Sequence, residues 1–371
     1  MLGGGAFGLG IARELAGQGR KVAVLEKNAA FGAEASGASA GMIGPQSEAM
    51  EDDAYFAATL ASRDRWKAYA GELQIETGVD LGFHARGAWH LAFGASSEKR
   101  LESKYLWQKR RAGKVERLER GELDERFGAF SPRVSAAYFA EGDYWVDNQA
   151  LCAALEEACR RRGVELRPST PVIVADQHEG KWRLRPSLGE TWTADQVVIA
   201  AGAWSGDLMA RVLPELRTGR THPVKGQMLS FRVPPELLPP LPIHAEDIYL
   251  VPRGVDRLLV GATVETVGFD TRLTGEGIEW LLRGAFDTIP DLRNCEVDRL
   301  WAGLRPGASD GWPTLGPAPL PGLHLAIGAY RRGILLLPLA AEAVAAGVLG
   351  HELPAEARAF SPGRQDSRVS M

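Results

Sequence analysis

Downstream of Gly3-Gly4-Gly5-Ala6-Phe7-Gly8, apolar residues recur at helical spacing through Ile11, Ala12 and Leu15. Past Gly19 the run Val22-Ala23-Val24-Leu25 closes on Glu26. The pattern predicts a turn, an amphipathic helix and a buried strand in quick succession. Nearly every residue over 35–44 is small, which suits backbone pressed against a ligand, and 52–72 has the periodicity of a long helix. From Gly87 the texture changes. Trp89-His90-Leu91 and Tyr138-Phe139 read as strands around a basic helical stretch, 98–126, whose charges form a solvated face. A second α/β stretch follows, with a helix over 149–162, a strand over 164–166, strands near Val172 and Trp182, and the apolar run 196–202 delivering Gly202. The β-like runs 225–230, 248–252 and 258–262 then predict an antiparallel second domain inserted in the first. The chain returns through 301–306 and enters a helix after Gly333.

Composition narrows the function classes. With 371 residues, 45% apolar and 24% charged, the chain is an ordinary globular sequence long enough for two or three domains. Its 43 Lys and Arg against 47 Asp and Glu leave a net charge of −4, so no basic field is available for nucleic acid. Cys152, Cys159 and Cys295 build neither a disulfide framework nor a C-x-x-C zinc pair, which fits a reducing cytoplasm. No signal-peptide pattern opens the chain, and the apolar stretch 333–350 is interrupted by Pro338 and Glu342, so neither export nor a membrane span is expected. The histidines show no metal spacing. His84, His90 and His222 read as surface or core residues, and no metal is expected.

Gly3-x-Gly5-x-x-Gly8, with Glu26 closing the next strand, is the pattern of a dinucleotide site. Gly3 permits the tight turn, Gly5 lets a pyrophosphate approach the backbone, and Gly8 lets the helix pack closely. Glu26 would accept ribose hydroxyls and repel a 2′-phosphate, which disfavours NADP. Only Met1 and Leu2 precede Gly3. Either the first strand starts upstream or the sheet must tolerate a two-residue strand.

Taken with Ser36-Gly37-Ala38-Ser39-Ala40-Gly41-Met42, Ala201-Gly202-Ala203-Trp204-Ser205, Pro223-Val224-Lys225-Gly226-Gln227, Trp301-Ala302-Gly303-Leu304-Arg305-Pro306-Gly307 and Tyr330-Arg331-Arg332-Gly333-Ile334-Leu335, the fingerprint resembles the D-amino-acid-oxidase-like FAD oxidoreductases, with the glycine oxidase branch nearest in pattern. The resemblance runs in order from residue 3 to about residue 350. It implies a Rossmann-like α/β FAD-binding domain, three-layered with a mostly parallel sheet, over 1–85, 146–217 and 300–350. An inserted, mainly antiparallel β substrate domain (α+β) would span 86–145 and 218–299, and 351–371 would form a tail. Gly3, Gly5, Ala6, Phe7, Gly8 and Gly202 are expected among the cofactor-binding residues, and by the same resemblance Glu26 and Lys27 meet the adenosine and Val172 gives backbone contacts to the adenine. Ala35, Ser36, Ala40, Gly41 and Met42 line the flavin, and Ala329, Tyr330, Arg331, Arg332, Gly333, Ile334 and Leu335 hold the isoalloxazine. Independently, a helix starting near Gly333 would aim its positive end at the flavin edge where negative charge develops on reduction. No cysteine lies near the C-terminal motif, so noncovalent FAD is expected.

Arg305 sits in an otherwise apolar segment, where an unpaired guanidinium is costly and an anion is required. That anion is an intramolecular carboxylate or a substrate. The resemblance favours the carboxylate of an amino acid, with Tyr249 reaching the same group and Arg331 assisting beside the flavin. The implied reaction is hydride transfer from Cα of glycine, sarcosine or a small D-amino acid to flavin N5 without an obligatory side-chain base. The imino acid would then hydrolyse, O₂ would become peroxide, and the imine could serve thiamine thiazole synthesis. Ala329, Arg332, Asp247 and Val264 depart from the family pattern and leave the substrate open. A dehydrogenase passing electrons to a quinone or carrier, and a noncatalytic FAD-binding subunit, are the competing readings. Family members are often tetramers, so a homo-oligomer is an expectation.

Overall fold

Met1 and Leu2 fill the strand position that the glycine turn requires. In the computed structural model, which describes residues 1–49, 51–109, 114–212 and 221–367, Leu2 bridges Leu25 on one side and Ile199 on the other, both in parallel. The Leu2 and Gly3 amides donate to Val198 and Leu25 at 2.8 and 2.9 Å, and the Met1 and Leu2 carbonyls accept from Leu25 and Ala200 at 2.9 and 2.8 Å. The bridge at Leu2 is thereby hydrogen-bonded on both edges. Around it the sheet runs Glu165–Arg167, Ala23–Leu25, Leu2, Val197–Ile199, Leu323–Ile327 and Thr314–Pro317, antiparallel only at the last pair.

Period-two alternation sorts the side chains of this sheet onto two faces. Val24 and Val198 pack among the helices Ala6–Gly17, Ala54–Thr77, Asn148–Arg161 and Gly333–Leu349. Leu25, Val197, Ile199 and Leu325 pack on the other side with Trp182 and Leu184 of an antiparallel meander, Val172–His178, Lys181–Pro186 and Trp192–Ala194. The result is the three-layer α/β arrangement the sequence predicts.

Local chemistry explains where helices begin and end. Ala54–Thr77 starts two residues later than the periodicity indicates because Asp53 caps it, accepting from the Phe56 amide at 2.8 Å, and it stops at Gly78 with φ 75°. Gly333–Leu349 continues through Pro338, whose ring cannot join the hydrogen-bond ladder. One residue beyond the Ile334 carbonyl that loses this donor, the Leu335 carbonyl accepts from Ser62 Oγ at 2.8 Å and Trp66 Nε1 at 3.0 Å, and the Leu339 amide donates to Ser62 Oγ at 3.4 Å.

The second sheet runs Glu296–Ala308, Thr221–Arg232, Arg257–Gly261, Ile248–Arg253, Ile243–Ala245, Ala88–Ala92, Ala136–Ala140 and Val115–Glu119. Every pairing is antiparallel except Ile243–Ala245 with Ala88–Ala92. The stretch 98–126 departs from expectation. It contains the strand Val115–Glu119 between the helices Ala95–Gln108 and Arg120–Arg126. Only Val115 and Leu118 of that strand are buried, so its charged outward residues hide the edge-strand pattern. The expected boundary at 217/218 lies outside the described residues. Two long strands, Thr221–Arg232 and Glu296–Ala308, pair with Gly226 opposite Gly303 and Val224 opposite Arg305, which brings both glycines and Arg305 to the edge of the parallel sheet's cleft.

Candidate active site

The cleft follows the carboxyl ends of the parallel strands, where each chain leaves the sheet: Gly3 after Leu2, Glu26 after Leu25, Ala200 to Gly202 after Ile199, Gly328 and Ala329 after Ile327. It consists of two cavities that share Ala35, Ser36, Ala200 and Gly202 as walls. One is lined by Gly3, Gly5, Glu26, Lys27, Val172 and Trp204. The other is lined by Ala6, Phe7, Ala40, Gly41, Met42, Ala329, Tyr330, Arg331, Gly333 and Ile334, together with Tyr249 and Arg305 from the second sheet.

At the first end, close approach is written into the backbone. Gly3 has φ 106°, and a Cβ there would lie 2.5 Å from the Ala200 carbonyl oxygen. Gly8 does not line the cleft. It lies under the turn, where a Cβ would meet the Gly3 carbonyl oxygen at 2.0 Å, so it sets how closely the helix packs. Glu26 is buried and fixed, its Oε2 accepting from the Gly4 amide and its Oε1 from the Asn28 amide, both at 2.8 Å, with lone pairs left for hydroxyl donors. Lys27 pairs with Glu34 at 2.8 Å and stands 3.4 Å over the Trp204 ring.

Two helices begin at the second end, Ala6–Gly17 and Gly333–Leu349; neither is capped by its own N-cap side chain or has an acidic residue in its first turn, and the Ala6 amide donates to Ser36 Oγ at 3.0 Å. The positive ends of both face the cleft. Opposite them stands Arg305, whose Nη1 donates to the Lys225 and Thr263 carbonyls at 3.2 and 3.0 Å. Among the described residues Arg305 has no carboxylate partner, so the intramolecular alternative raised by the sequence finds no support. Gly226 makes room for it, since a Cβ there would lie 2.4 Å from Arg305 Nη2. Tyr249 is buried beside it, which pushes the phenol pKa up against the opposing pull of Arg305 and Arg331. Arg331 also faces the cavity, but its Nε lies 3.5 Å from Glu48 Oε1. The Glu48 carboxylate holds its pKa above the ordinary value.

A family model for FAD-dependent oxidoreductases matches residues 2–346. The chain belongs to that family. It is 35% identical over 377 residues to a glycine oxidase of Geobacillus kaustophilus, covering 100% of this chain and 98% of the relative. The crystal structure of glycine oxidase from Geobacillus kaustophilus superimposes with a TM-score of 0.92 at 35% identity, over 98% of this chain and 97% of that one. A bifunctional ThiO/ThiG protein of Nostoc is 34% identical over 351 residues, covering 93% of this chain but 51% of that protein. A cleft with a glycine floor, a fixed carboxylate at one end and two helix starts facing it fits the FAD that the family requires.

Two side chains expected at the isoalloxazine of this oxidoreductase lie elsewhere. Arg332 turns outward, its guanidinium 4.1 Å from the Tyr55 ring centre and its Nη2 donating to the Glu48 carbonyl at 2.5 Å. Leu335 is buried in the helical core. None of the three cysteines lines either cavity: Cys152 and Cys159 are buried on the helix Asn148–Arg161, and Cys295 ends the turn Pro290–Asn294. Sequence reasoning missed Glu48, Met228 and Trp204 in the walls. Met228 was recoverable, because strand alternation puts it on the same face as Gly226.

Sequence reasoning also missed a buried polar cluster behind the cavity. His90 and His244 stack with ring centres 4.4 Å apart and planes 1° from parallel, next to Asp143. His90 Nε2 is 2.9 Å from Ser47 Oγ, which hydrogen-bonds Asp143. The ligand atoms of His90, Asp143 and His244 lie within 4.8 Å of one another. Parallel rings, however, point their in-plane lone pairs side by side rather than at one ion. The Lys104 ammonium already brings a cation, donating to the Ser47 carbonyl at 2.5 Å. Burial holds both histidines well below their ordinary pKa. The cluster braces the Pro45–Glu48 turn, as the Asp143 carboxylate accepts from the Gln46 and Ser47 amides at 2.9 and 3.0 Å. Among the described residues no helix is long and apolar enough to cross a membrane.

Proposed function

We propose that this oxidoreductase oxidises glycine and similar small amino acids, sarcosine and small D-amino acids among them, with noncovalently bound FAD and O₂ as final acceptor. The observation that carries this reading is Arg305, a guanidinium in an apolar wall that donates to two carbonyls and has no carboxylate partner among the described residues, facing the same cavity as Tyr249 and the start of the helix Gly333–Leu349. Such a group is completed by a carboxylate, which a guanidinium grips through two parallel hydrogen bonds.

The remaining residues have matching tasks. Gly3, Gly5, Ala6 and Phe7 take the pyrophosphate at the helix start, Glu26 accepts the ribose hydroxyls, and Lys27 and Val172 flank the adenine. Ala35, Ser36, Ala40, Gly41, Met42, Gly202, Ala329, Tyr330 and Ile334 wall the isoalloxazine, and the helix at Gly333 turns its positive end toward it. Bound FAD supplies the hydride acceptor and the route to O₂, giving imino acid and hydrogen peroxide. Arg305 and Tyr249 anchor the substrate carboxylate so that one Cα–H is presented in a fixed direction, which is where the rate advantage originates. The apolar walls keep water from the reacting carbon. The likeness to a ThiO/ThiG protein supports a role in supplying imine for the thiazole of thiamine.

Anaerobic mixing of the FAD-loaded protein with glycine, sarcosine and small D-amino acids tests this. Bleaching of the yellow band by at least one of them, with colour and peroxide appearing on admission of air, is the expected result. An unbleached flavin would refute the reading. Bleaching without peroxide, with colour restored by a quinone, would replace O₂ by a different acceptor.

A further inference from the structure

We propose that Glu48 sets the charge limit of the substrate cavity: by neutralising Arg331 it leaves Arg305 as the one cation open to substrate, so amines carrying a second acid group are rejected. This rests on the proposed binding of the substrate carboxylate by Arg305.

Among the described residues the cavity wall holds two guanidiniums, Arg305 and Arg331, and one carboxylate, Glu48. The guanidiniums are satisfied in opposite ways. Arg305 donates to two neutral carbonyls, whereas Arg331 lies 3.5 Å from Glu48 Oε1. The cavity therefore carries one uncompensated positive charge, which a single carboxylate cancels. A second carboxylate would leave a net negative charge in a poorly solvated space, and it could reach Arg331 only by displacing Glu48.

The backbone that carries Glu48 is tied down. Glu48 ends the short helix Pro45–Glu48, whose amides at Gln46 and Ser47 are held by Asp143 and whose Ser47 carbonyl is held by Lys104. The carbonyl of Glu48 itself accepts from Arg332. With the backbone tied on three sides, the Glu48 side chain, 19% exposed, starts from a fixed point beside Arg331.

The test compares kcat/KM for iminodiacetate and D-aspartate with that for glycine in the holoenzyme. In Glu48→Gln, which keeps the shape and removes the charge, the ratio of the dicarboxylic amines to glycine should rise at least about tenfold. The gain should vanish in Glu48→Gln combined with Arg331→Met. Unmodified holoenzyme gives a second readout that needs no variant to fold. Malonate should perturb the flavin absorbance no more tightly than acetate does, and tenfold tighter malonate binding would show Arg331 to be open and overturn the proposal. An unchanged substrate ratio in a folded, FAD-loaded Glu48→Gln would overturn it as well, while glycine oxidation by the parent enzyme keeps the Arg305 reading intact. A parent enzyme bleached by no amino acid would instead remove the reading on which this one rests.

Discussion

The two ends of the cleft are built from different materials. At the Gly3 end, the walls are made of backbone: a glycine at φ 106° and a carboxylate locked by two amides. At the Arg305 end they are made of long side chains from separate elements, with Arg305 on one strand, Tyr249 on another and Glu48 on a braced turn. A backbone site fails when volume is added, and a side-chain site fails when charge is removed. On the proposed reading, the same distinction separates a cofactor that must stay from a substrate that must leave.

The largest effect should come from volume at the backbone end. Gly3→Val puts a branched side chain at a left-handed φ and within contact distance of Ala200, so the protein should purify without FAD or not accumulate at all. A fully loaded Gly3→Val would erase the contrast between the ends. Next comes Arg305→Lys, which keeps the charge but loses the fork. The expected rise in KM for glycine is about 10- to 100-fold with FAD content unchanged, measured by peroxide release. Glu26→Gln should weaken FAD by about tenfold while leaving turnover of the loaded fraction close to the parent, as read by fluorescence titration of the apoprotein.

The smallest effect concerns the brace. His90 and His244 are held well below the ordinary value of 6.5, so the unfolded chain binds protons that the native protein does not. Their contribution is complete above pH 6.5 and declines as pH falls below it. Asp143, raised by burial from 3.8, acts in the opposite sense and loses its contribution as pH rises through its native value. Between about pH 7.5 and 5.5 the fall in Tm should therefore be smaller in His244→Gln than in the parent by about 2 °C. Parallel profiles in thermal scans would show that the stacked pair does not titrate on unfolding.

What could be read in advance follows the same divide. The Gly3 end was legible because its parts are contiguous: the glycines, the helix behind them and the strand to Glu26 form one local unit whose spacing carries the geometry. The pairing of the long strands around Gly226 and Arg305 was legible as β-structure, and Arg305 stood out as a charge in an apolar run. Glu48 was not legible. It faces the cavity because Asp143, 96 residues beyond Ser47, clamps the turn, and no local pattern encodes that contact. The stacking of His90 on His244 depends on a parallel strand pairing between remote segments. The strand Val115–Glu119 was hidden by its own exposed charges, since an edge strand with two buried residues has little alternation to display.

The central claim is that the guanidinium of Arg305 holds the substrate's acid group. It is tested most directly by following anaerobic flavin reduction in Arg305→Ala as a function of glycine concentration, with FAD content measured in the same sample. Full FAD occupancy with an apparent dissociation constant for glycine raised by about 100-fold is the predicted result. A loaded variant that is reduced at the parent's glycine concentrations would contradict it.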